Sequence, residues 1–470
     1  MSISARQDAG SFRDPSGQVW HLEGRIFRTV KASALQSYKC LRESGLLTKK
    51  FKYGRVVETL EVSDEATLGY IDDDFEILLE HSKIRTLSYP YEWCFAQLKQ
   101  AALFHLELIL AALDKDMMLS DATAYNIQFE GTQPCFIDIL SFRPYQEGEI
   151  WNGYKQFCEQ FLNPLLLQSE LGVPYNGWYR GSLEGISGSD LAKLLPFHKK
   201  FKPKIAAHVV LPSSLQARAN KDSFKQMASH ERRRKLSLLQ LRGIISSLSN
   251  WIGKLEADNK KSSAWSDYEH DNTYTDAETA EKAGFLNKVV TQTKPELVWD
   301  VGCNTGQFAE ICLTAGAKQA VGLDFDIATV SRAAERAKAK NLNFLALHQD
   351  LANPSPGQGW FGLERSSLAN RCNADLVIAL ALIHHLVIGR NIPMRSFAEW
   401  LTSLAPMGVV EFVPKNDPMV QALLANREDI FPDYTVEHFE QNMREFAEID
   451  ESKIITETGR TLFLYQRKAR

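Results

Sequence analysis

A short apolar run that ends in an acidic residue and a glycine turn constrains the fold of this chain more than any other feature. Residues 297–308 read LVWDVGCNTGQF. Residues 298–301 are typical of a strand buried on both faces, and Gly302 and Gly306 then allow a tight turn that a ligand can approach closely. Apolar residues recur at helical spacing in residues 307–314. The pattern therefore predicts a parallel strand, a turn and a helix whose first amide groups face a ligand.

Further strand-like segments follow in the order of an α/β fold. The apolar segments that we predict as strands are residues 320–323, 345–348, 375–382 and 408–413. Helical patterns at residues 328–340 and 395–404 separate several of them. Residues 446–449 and 461–466 alternate in polarity, which predicts a final antiparallel hairpin. We therefore expect a mostly parallel sheet whose strand ends, and the polar residues after them, share one edge.

The glycine spacing distinguishes this turn from a dinucleotide-binding fingerprint. That fingerprint needs three glycines in the order G-x-G-x-x-G, whereas this turn has two, with Asp300 two residues before Gly302. The stretch resembles motif I of the class I S-adenosylmethionine methyltransferases, which have a Rossmann-like sheet. In that family the aspartate contacts the amino acid end of the cofactor and the glycines make room for it. The resemblance implies that Asp300, Gly302 and Gly306, with Asn304 between the glycines, bind S-adenosylmethionine.

Acidic residues after the next two predicted strands extend this resemblance. Asp324 lies 22 residues after the first glycine of the turn, and its two carboxylate oxygens match two vicinal ribose hydroxyls. The family typically places another aspartate on the adenine amino group, which implies that role for Asp350, beside Leu351. Four more residues are expected to border the cofactor: Phe325, Ala379, Tyr268 and Tyr274. For the two tyrosines, packing of the following helix onto the sheet is an equal alternative.

His385 and Glu411 are the candidate catalytic residues because they lie near the ends of the fourth and fifth predicted strands. Histidine can accept a proton near neutral pH, and a base is needed only if the acceptor must lose a proton during attack. Packing of His384 and His385 in the wall of the site is the alternative for the adjacent histidines. The cofactor itself supplies the leaving group.

The absence of one sequence signature narrows the chemical class of the methyl acceptor. Residues 381–384 read ALIH, so the amino-methylating sequence N/D-P-P-Y/F does not follow the fourth predicted strand. This favours O-methyl transfer to a small molecule or carbohydrate over methylation of nucleic acid bases. RNA or protein acceptors, and a noncatalytic scaffold that only binds the cofactor, are the alternatives.

The N-terminal half contains a second set of polar residues at suggestive spacing. Asp121 is followed five residues later by Asn126, then by a strand-like pair and Asp138. This order resembles the catalytic and metal-binding loops of kinase-like phosphotransferases, in which the first aspartate is the base and the other two residues hold magnesium. Leu119 and Ser120 stand where that family has histidine and arginine. The resemblance therefore implies a degenerate α+β module that recognises a substrate.

Two alternatives remain for this segment. One is an active phosphotransferase, although no G-x-G-x-x-G precedes it and no nucleotide-binding lysine can be assigned among Lys31, Lys49, Lys50 and Lys52. The other is a turn ordered by the side chains of Asp121 and Asn126. Upstream, we predict a strand at residues 84–89 and a long buried helix at residues 93–113.

Length and composition indicate how these parts are arranged. The 470 residues, 44% of them hydrophobic, fit two or three domains. We expect the kinase-like module at residues 1–212, a helical linker or lid at 213–262 and the methyltransferase domain at 263–470. For the helical pattern at residues 231–255, a packed linker, a lid, a partner helix and a nucleic-acid arm are all open. The whole chain resembles the nodulation-protein-like methyltransferases, in which a D-A-T-x-Y-N segment precedes a class I domain.

Charge and cysteine content argue against several other classes of protein. The formal net charge of −4 predicts no bulk attraction to nucleic acid or to an anionic membrane. The seven cysteines include no C-x-x-C pair, so we expect neither a metal site nor a disulfide framework. The first residues lack the apolar core of a signal sequence, and no apolar run approaches the length of a membrane span. These features predict a cytoplasmic protein, and they leave its oligomeric state open.

Overall fold

The computed structural model of the protein describes residues 5–213, 235–258, 275–425 and 427–469. The described strands are β1 (Arg6–Gln7), β2 (Val19–Leu22), β3 (Arg25–Val30), β4 (Arg55–Val56), β5 (Thr59–Glu61), β6 (Ile77–His81), β7 (Met117–Leu119), β8 (Ile127–Glu130), β9 (Gln133–Phe136), β10 (Phe142–Pro144), β11 (Leu297–Val301), β12 (Gln319–Asp324), β13 (Phe344–His348), β14 (Leu376–Ala379), β15 (Met407–Phe412), β16 (Ala447–Ile454) and β17 (Thr461–Arg467).

The described α-helices are α1 (Ala32–Ser44), α2 (Glu65–Leu68), α3 (Phe95–Leu113), α4 (Tyr154–Phe157), α5 (Asn163–Leu171), α6 (Asn176–Gly181), α7 (Gly188–Leu194), α8 (Phe197–Lys200), α9 (Pro203–Ile205), α10 (Leu238–Ile252), α11 (Asp276–Thr293), α12 (Gln307–Thr314), α13 (Ile327–Ala339), α14 (Leu368–Arg371), α15 (Ile383–Val387), α16 (Met394–Leu404), α17 (Pro418–Leu424) and α18 (Val436–Phe446). Short π-helical turns at Cys158–Leu162 and Ala206–Val210 join α4 to α5 and extend α9. None of these helices is both long and apolar enough to cross a membrane.

The C-terminal half is built on a seven-stranded sheet with the order β13-β12-β11-β14-β15-β17-β16. The first five strands are parallel, and β17 pairs antiparallel with both β15 and β16. Every residue of β11 is buried, as expected for a strand covered by helices on both faces. The predicted Rossmann-like sheet with a final antiparallel hairpin is therefore confirmed.

The helices of this half begin at residues that the sequence marks as caps. The Thr275 hydroxyl accepts a hydrogen bond from the amide of Glu278, and the Glu278 carboxylate accepts one from the amide of Thr275. This pair of bonds fixes the start of α11. Asp326 caps α13 in a similar way through the amides of Ala328 and Thr329. Helix α13 therefore starts one residue before its predicted position.

The N-terminal half has a five-stranded antiparallel sheet in the order β1-β2-β3-β6-β5, smaller sheets in the orders β4-β9-β8 and β10-β7, and a mainly helical part. Helix α3 is at its centre: 14 of its 19 residues are buried, which is typical of a helix surrounded by protein on nearly all sides. Helix α10 packs on α3 through Leu241, Ile245 and Leu248. The described part of the segment between the halves is thus a helix packed on the N-terminal core.

The predicted strand at residues 84–89 is wrong, since the structure has no regular element there and β6 ends at His81. Side chains, rather than a neighbouring strand, satisfy the backbone of this segment. Arg371 donates to the carbonyl of Leu87, and Asn373 donates to that of Arg85 at 3.0 Å. Both donors come from the C-terminal half, so the segment is part of the contact between the halves.

The N-terminal half also covers β13, the edge strand of the C-terminal sheet. The Gln97 side chain, on the first turn of α3, donates to the carbonyl of Ala346 in β13 at 2.9 Å. Glu92 forms a buried ion pair with Arg371 and accepts a hydrogen bond from Gln349 at 2.6 Å. Gln97 thus satisfies one carbonyl of the edge strand, and the three contacts together hold the two halves against each other.

Candidate cofactor and active site

Asp300 lies near the end of β11 with its carboxyl group buried. The parallel register aligns it with Gly322 of β12 and Ile378 of β14. Burial and the nearby Asp324 carboxylate raise the pKa of Asp300 to about 8. Its Oδ2 atom accepts no hydrogen bond from any residue that the structure describes. A buried carboxyl oxygen is therefore available to a donor such as an ammonium group, which fits the amino acid end of S-adenosylmethionine.

The glycine turn after β11 depends on left-handed backbone conformations. Gly302, Asn304 and Gly306 have φ angles of 84°, 47° and 77°, a region that glycine and asparagine tolerate best. A Cβ atom on Gly306 would lie 2.4 Å from the ring of Phe344. The amide of Gly302 donates to the carbonyl of Leu323 at 2.8 Å, which holds the turn against β12. Packing within the sheet thus requires glycine at position 306 independently of any ligand.

Asp324, the last residue of β12, is oriented by two backbone amides. Its Oδ2 accepts from the amide of Asn304 and its Oδ1 from the amide of Asp326, both at 3.0 Å. Burial raises the pKa of Asp324 to about 6. Each carboxylate oxygen has a second lone pair, so the group can still accept two hydroxyl donors. Phe325 follows with an exposed ring, which offers an apolar face at the same edge of the sheet.

The ends of β13 and β14 carry the other predicted cofactor residues. Asp350 lies two residues beyond β13, and its Oδ1 accepts from the amide of Ala352 at 3.0 Å. Its Oδ2 pairs with Arg390 at 3.4 Å. Leu351 is half-buried against the core, and Ala379 is fully buried at the end of β14. The described candidates therefore all lie at or just after the carboxyl ends of parallel strands.

The remaining two candidates, Tyr268 and Tyr274, lie outside the described residues.

Glu411 is fully buried near the end of β15 and is held by partners within the fold. Its Oε2 accepts from Nζ of Lys282 at 2.7 Å and from the amide of Ala381 at 2.9 Å. Burial lowers the pKa of Lys282 to about 8, against the opposing effect of Glu411. The ion pair ties helix α11 to the end of β15 and to the turn at Ala381, where φ is 47°.

Our sequence reasoning missed Lys282, although a signal was present. Lys282 lies at helical spacing with Phe285, Leu286 and Val289, all of which are buried in α11. A charged residue on the apolar face of a helix requires a buried partner. The sequence could therefore have predicted a carboxylate opposite Lys282, although not which one.

His385 lies beside His384 in α15, the helix after β14, with 4.2 Å between the ring centroids. Burial and the nearby Arg460 guanidinium lower the pKa of His385 to about 4. Its imidazole is therefore unprotonated at neutral pH and can accept a proton. Arg460, which sequence reasoning also missed, forms a buried ion pair with Asp417 at 2.6 Å. No local periodicity marks that pair, because Asp417 caps the start of α17 and Arg460 lies in the turn between β16 and β17.

The polar residues of the N-terminal half are brought together as well. The side-chain amide of Asn126 lies 3.2 Å from Oδ1 of Asp121 and 3.2 Å from Oδ2 of Asp138. Burial and the Asp138 carboxylate raise the pKa of Asp121 to about 7. Arg28 from β3 pairs with Asp138 at 3.0 Å and also with Asp14. Arg28, rather than any of the lysines considered, is thus the cation of this cluster.

Among the residues that the structure describes, no three His, Cys, Asp or Glu side chains are grouped so that they could hold a metal ion.

Comparisons with known proteins agree with this architecture. Residues 299–412 match a family described as a methyltransferase domain. Nodulation protein NoeA of Rhizobium meliloti (strain 1021) is 42% identical over 459 residues, which cover 98% of this chain and 96% of NoeA.

Two solved structures are also similar, both with a TM-score of 0.31. The PH0226 protein of Pyrococcus horikoshii OT3 is 16% identical and is matched over 42% of this chain and 95% of its own. The magnesium protoporphyrin IX methyltransferase ChlM of Synechocystis PCC 6803 is 18% identical, over 45% of this chain and 94% of its own. On the full-length match and the domain match, this chain belongs to the NoeA family, and its C-terminal half is an S-adenosylmethionine-dependent methyltransferase domain.

Proposed function

We propose that this methyltransferase transfers the methyl group of S-adenosylmethionine to a hydroxyl group of a small molecule or carbohydrate. The observation that carries the proposal is the half-buried His385 side chain in α15, the helix that follows β14 at the sheet edge that bears Asp300 and Asp324. Methylation of a hydroxyl oxygen releases a proton, and a neutral imidazole can accept it. Residues 381–384 lack the amino-methylating signature, which also supports an oxygen acceptor.

Each cofactor role rests on the geometry of one strand end. Asp300 has a buried carboxyl oxygen for the cofactor ammonium, and Asp324 has free lone pairs for the ribose hydroxyls. Asp350 is the candidate for the adenine amino group, next to the half-buried Leu351. Phe325 and Ala379 would line the adenosine. The bound cofactor supplies a sulfonium methyl group, and the protein holds donor and acceptor in line.

Glu411 is better suited to positioning than to contact with the acceptor. Its carboxylate is already engaged with Lys282 and with the amide of Ala381. Ala381 lies in the turn between β14 and the histidines of α15. Through that turn, Glu411 would set the position of His385 relative to the methyl group.

The N-terminal half is proposed to help recognise the acceptor. Its residue Glu92 contacts Gln349, which directly precedes Asp350 at the adenine end of the candidate site. Helix α3 contacts the same edge strand through Gln97. A substrate bound by this half would therefore lie close to the cofactor, where its acceptor atom could reach the methyl group.

Transfer of a radiolabelled methyl group from S-adenosylmethionine to fractionated cell extract tests the proposed acceptor class. We expect label in the small-molecule or carbohydrate fraction. Label in RNA or protein would contradict the acceptor class, and cofactor binding without any transfer would support a noncatalytic scaffold. The Asp324→Ala variant is the control for transfer by other enzymes in the extract.

Replacing His385 with glutamine tests the proposed base. Because a base with a pKa of about 4 is a weak acceptor near neutral pH, we expect a loss at the lower end of the usual range for general bases, about a hundredfold in kcat. Cofactor affinity should stay unchanged, since no cofactor contact is assigned to His385. Label transfer to the identified fraction gives the rate, and full turnover by His385→Gln would remove this residue from the mechanism.

Cofactor affinity is expected to depend on pH through Asp300. Its pKa of about 8 keeps the carboxyl group largely protonated at pH 7, whereas an ammonium ligand needs the carboxylate. Affinity should therefore rise up to about tenfold per pH unit towards pH 8, and then fall as the cofactor amino group, with a pKa of roughly 8, loses its own proton. Calorimetric titration across pH 6–9 checks this. A pH-independent affinity would contradict the ammonium contact, and Asp300→Asn should bind weakly with no such rise.

The raised pKa of Asp300 also makes the stability of the cofactor-free protein depend on pH, but here the stability falls as the pH rises. The folded state holds the Asp300 proton more tightly than the unfolded chain, whose carboxyl has a pKa of about 4. Stability from this group is therefore present at low pH and is lost as the pH rises from about 4 to about 8. Cofactor binding should offset that loss.

A phosphotransferase is the second candidate function, favoured by the contacts among Asp121, Asn126 and Asp138. Magnesium-dependent binding of ATP to the full chain, lost in Asp138→Ala, would support it. In the absence of such binding, the cluster is better explained as a buried network that Arg28 neutralises. Neither result bears on the methyltransferase half, whose cofactor binding serves as the folding control.

A further inference from the structure

A group of exposed apolar side chains in the N-terminal half lies in a lysine-rich stretch of the sequence, residues 193–204. Phe197 is 77% exposed and Phe201 is 67% exposed, and their rings pack edge to face with 4.8 Å between centroids. Leu194, three residues before Phe197, is also exposed. We name the following residues the phenylalanine-lysine patch: Leu194, Phe197, Phe201, Lys193, Lys200, Lys202 and Lys204.

The fold holds these rings in solvent. Leu195 precedes the two phenylalanines and Ile205 follows them, and both are almost fully buried. The segment is thus anchored at each end, while α8 presents Phe197 outwards. Leaving a phenylalanine exposed forgoes the favourable free energy of burying its apolar surface. Two such rings in contact are therefore typical of a binding surface rather than of an ordinary protein exterior.

The local charge of the patch differs in sign from that of the whole chain. Residues 191–213 include five lysines and no acidic residue, whereas the complete chain carries −4. Lys193 pairs with Asp190, and Lys199 and Lys202 share Glu170. Five cations therefore meet two carboxylates, which leaves a positive surface. Screening limits electrostatic interactions to about 8–10 Å, so a bound surface responds to this local excess and not to the net charge.

We infer that the phenylalanine-lysine patch binds the surface of a bilayer that contains anionic phospholipids. Phe197 and Phe201 enter the boundary between headgroups and acyl chains, while the lysine ammonium groups remain among the lipid phosphates. The described helices include none that could span a membrane, so the contact is with the surface. The net charge of the chain predicts no bulk attraction to an anionic membrane. The proposed contact depends instead on the local positive charge of the patch.

The arrangement of the rings favours lipid over single-stranded nucleic acid. Base stacking needs flat ring faces that are separately accessible. Phe197 and Phe201 instead pack edge to face at 76°, so they form one compact apolar surface. Leu194 enlarges that surface and cannot stack on a base.

The chain offers a matched control for exposed aromatic rings. Trp360 and Phe361 are 61% and 83% exposed and also pack edge to face. They lie between β13 and β14, where Glu364 and Arg365 follow them and no lysine lies within residues 351–375. This second pair has comparable apolar exposure without a lysine cluster.

Flotation of the full chain with vesicles tests the inference. One set of vesicles is phosphatidylcholine alone, and in the other about one third of the lipid is phosphatidylglycerol. We expect binding to the anionic vesicles only, weakened steeply by added salt. The double variant Phe197→Ser/Phe201→Ser, and separately Lys193→Glu/Lys200→Glu, should reduce binding at least tenfold. Trp360→Ser/Phe361→Ser should bind like the wild type.

Several outcomes would overturn the inference. They are no binding to anionic vesicles, equal binding to neutral vesicles, and undiminished binding by either patch variant. Binding of a single-stranded RNA oligonucleotide that the patch variants lose, without vesicle binding, would assign the patch to nucleic acid instead. Unchanged thermal midpoints and cofactor titrations of the variants establish that they are folded, as expected for substitutions of exposed residues.

Discussion

Replacing Asp324 with alanine is expected to weaken the binding of S-adenosylmethionine roughly a thousandfold. The carboxylate is held by the amides of Asn304 and Asp326, so it can present two fixed acceptors to the ribose. A hydrogen bond to a charged group contributes about 1.5–3 kcal/mol. The loss of two such bonds, roughly 4 kcal/mol, corresponds to about three factors of ten in the dissociation constant. Titration calorimetry of the wild type and of Asp324→Ala measures the two dissociation constants directly.

Two further variants separate the ribose contact from other effects. Asp324→Asn keeps the shape and one acceptor oxygen, so its affinity should fall between those of the wild type and Asp324→Ala. Glu457→Ala removes an exposed carboxylate and should leave binding unchanged. An affinity for Asp324→Ala within about threefold of the wild type, with an unchanged melting midpoint, would contradict the assigned role of Asp324.

The parallel strands of the C-terminal half could be predicted because their signals are local. An apolar run such as residues 297–301 is buried on both faces, so its composition alone indicates a central strand. The strand-end positions of the described cofactor candidates could be predicted for the same reason, since they lie at or just beyond the ends of such runs, whereas their role in binding stays a prediction. The helix starts at Thr275 and Asp326 depend on capping residues within one turn.

The contacts that fix the site and the two halves could not be predicted, because their partners are distant in sequence. Glu92 and Arg371 are 279 residues apart, and Lys282 and Glu411 are 129 apart. Periodicity shows that a charged residue falls on an apolar face, but it carries no information about the partner. The wrong strand at residues 84–89 has the same origin, because the side chains that bind its backbone carbonyls, Arg371 and Asn373, are distant in sequence.

Replacing Arg371 with leucine is expected to lower the free energy of unfolding by about 3–5 kcal/mol. The guanidinium and the Glu92 carboxylate are both almost fully buried, 2.5 Å apart, and Arg371 also donates to the carbonyl of Leu87. Removing the cation leaves the Glu92 carboxylate buried without its charge partner. The remaining donors to it, the amide of Tyr89 and the side chain of Gln349, are neutral. Urea unfolding measures the loss.

A double-mutant cycle with Glu92→Gln tests whether charge burial is the cause. If the uncompensated carboxylate destabilises Arg371→Leu, neutralising that carboxylate should restore a large part of the stability. The double variant should therefore unfold at a higher urea concentration than Arg371→Leu alone. A loss below about 1 kcal/mol for Arg371→Leu, or additive losses in the cycle, would contradict this explanation. Because the pair joins Glu92 of the N-terminal half to Arg371 of the C-terminal half, a confirmed coupling would also show that the two halves interact energetically through these charges.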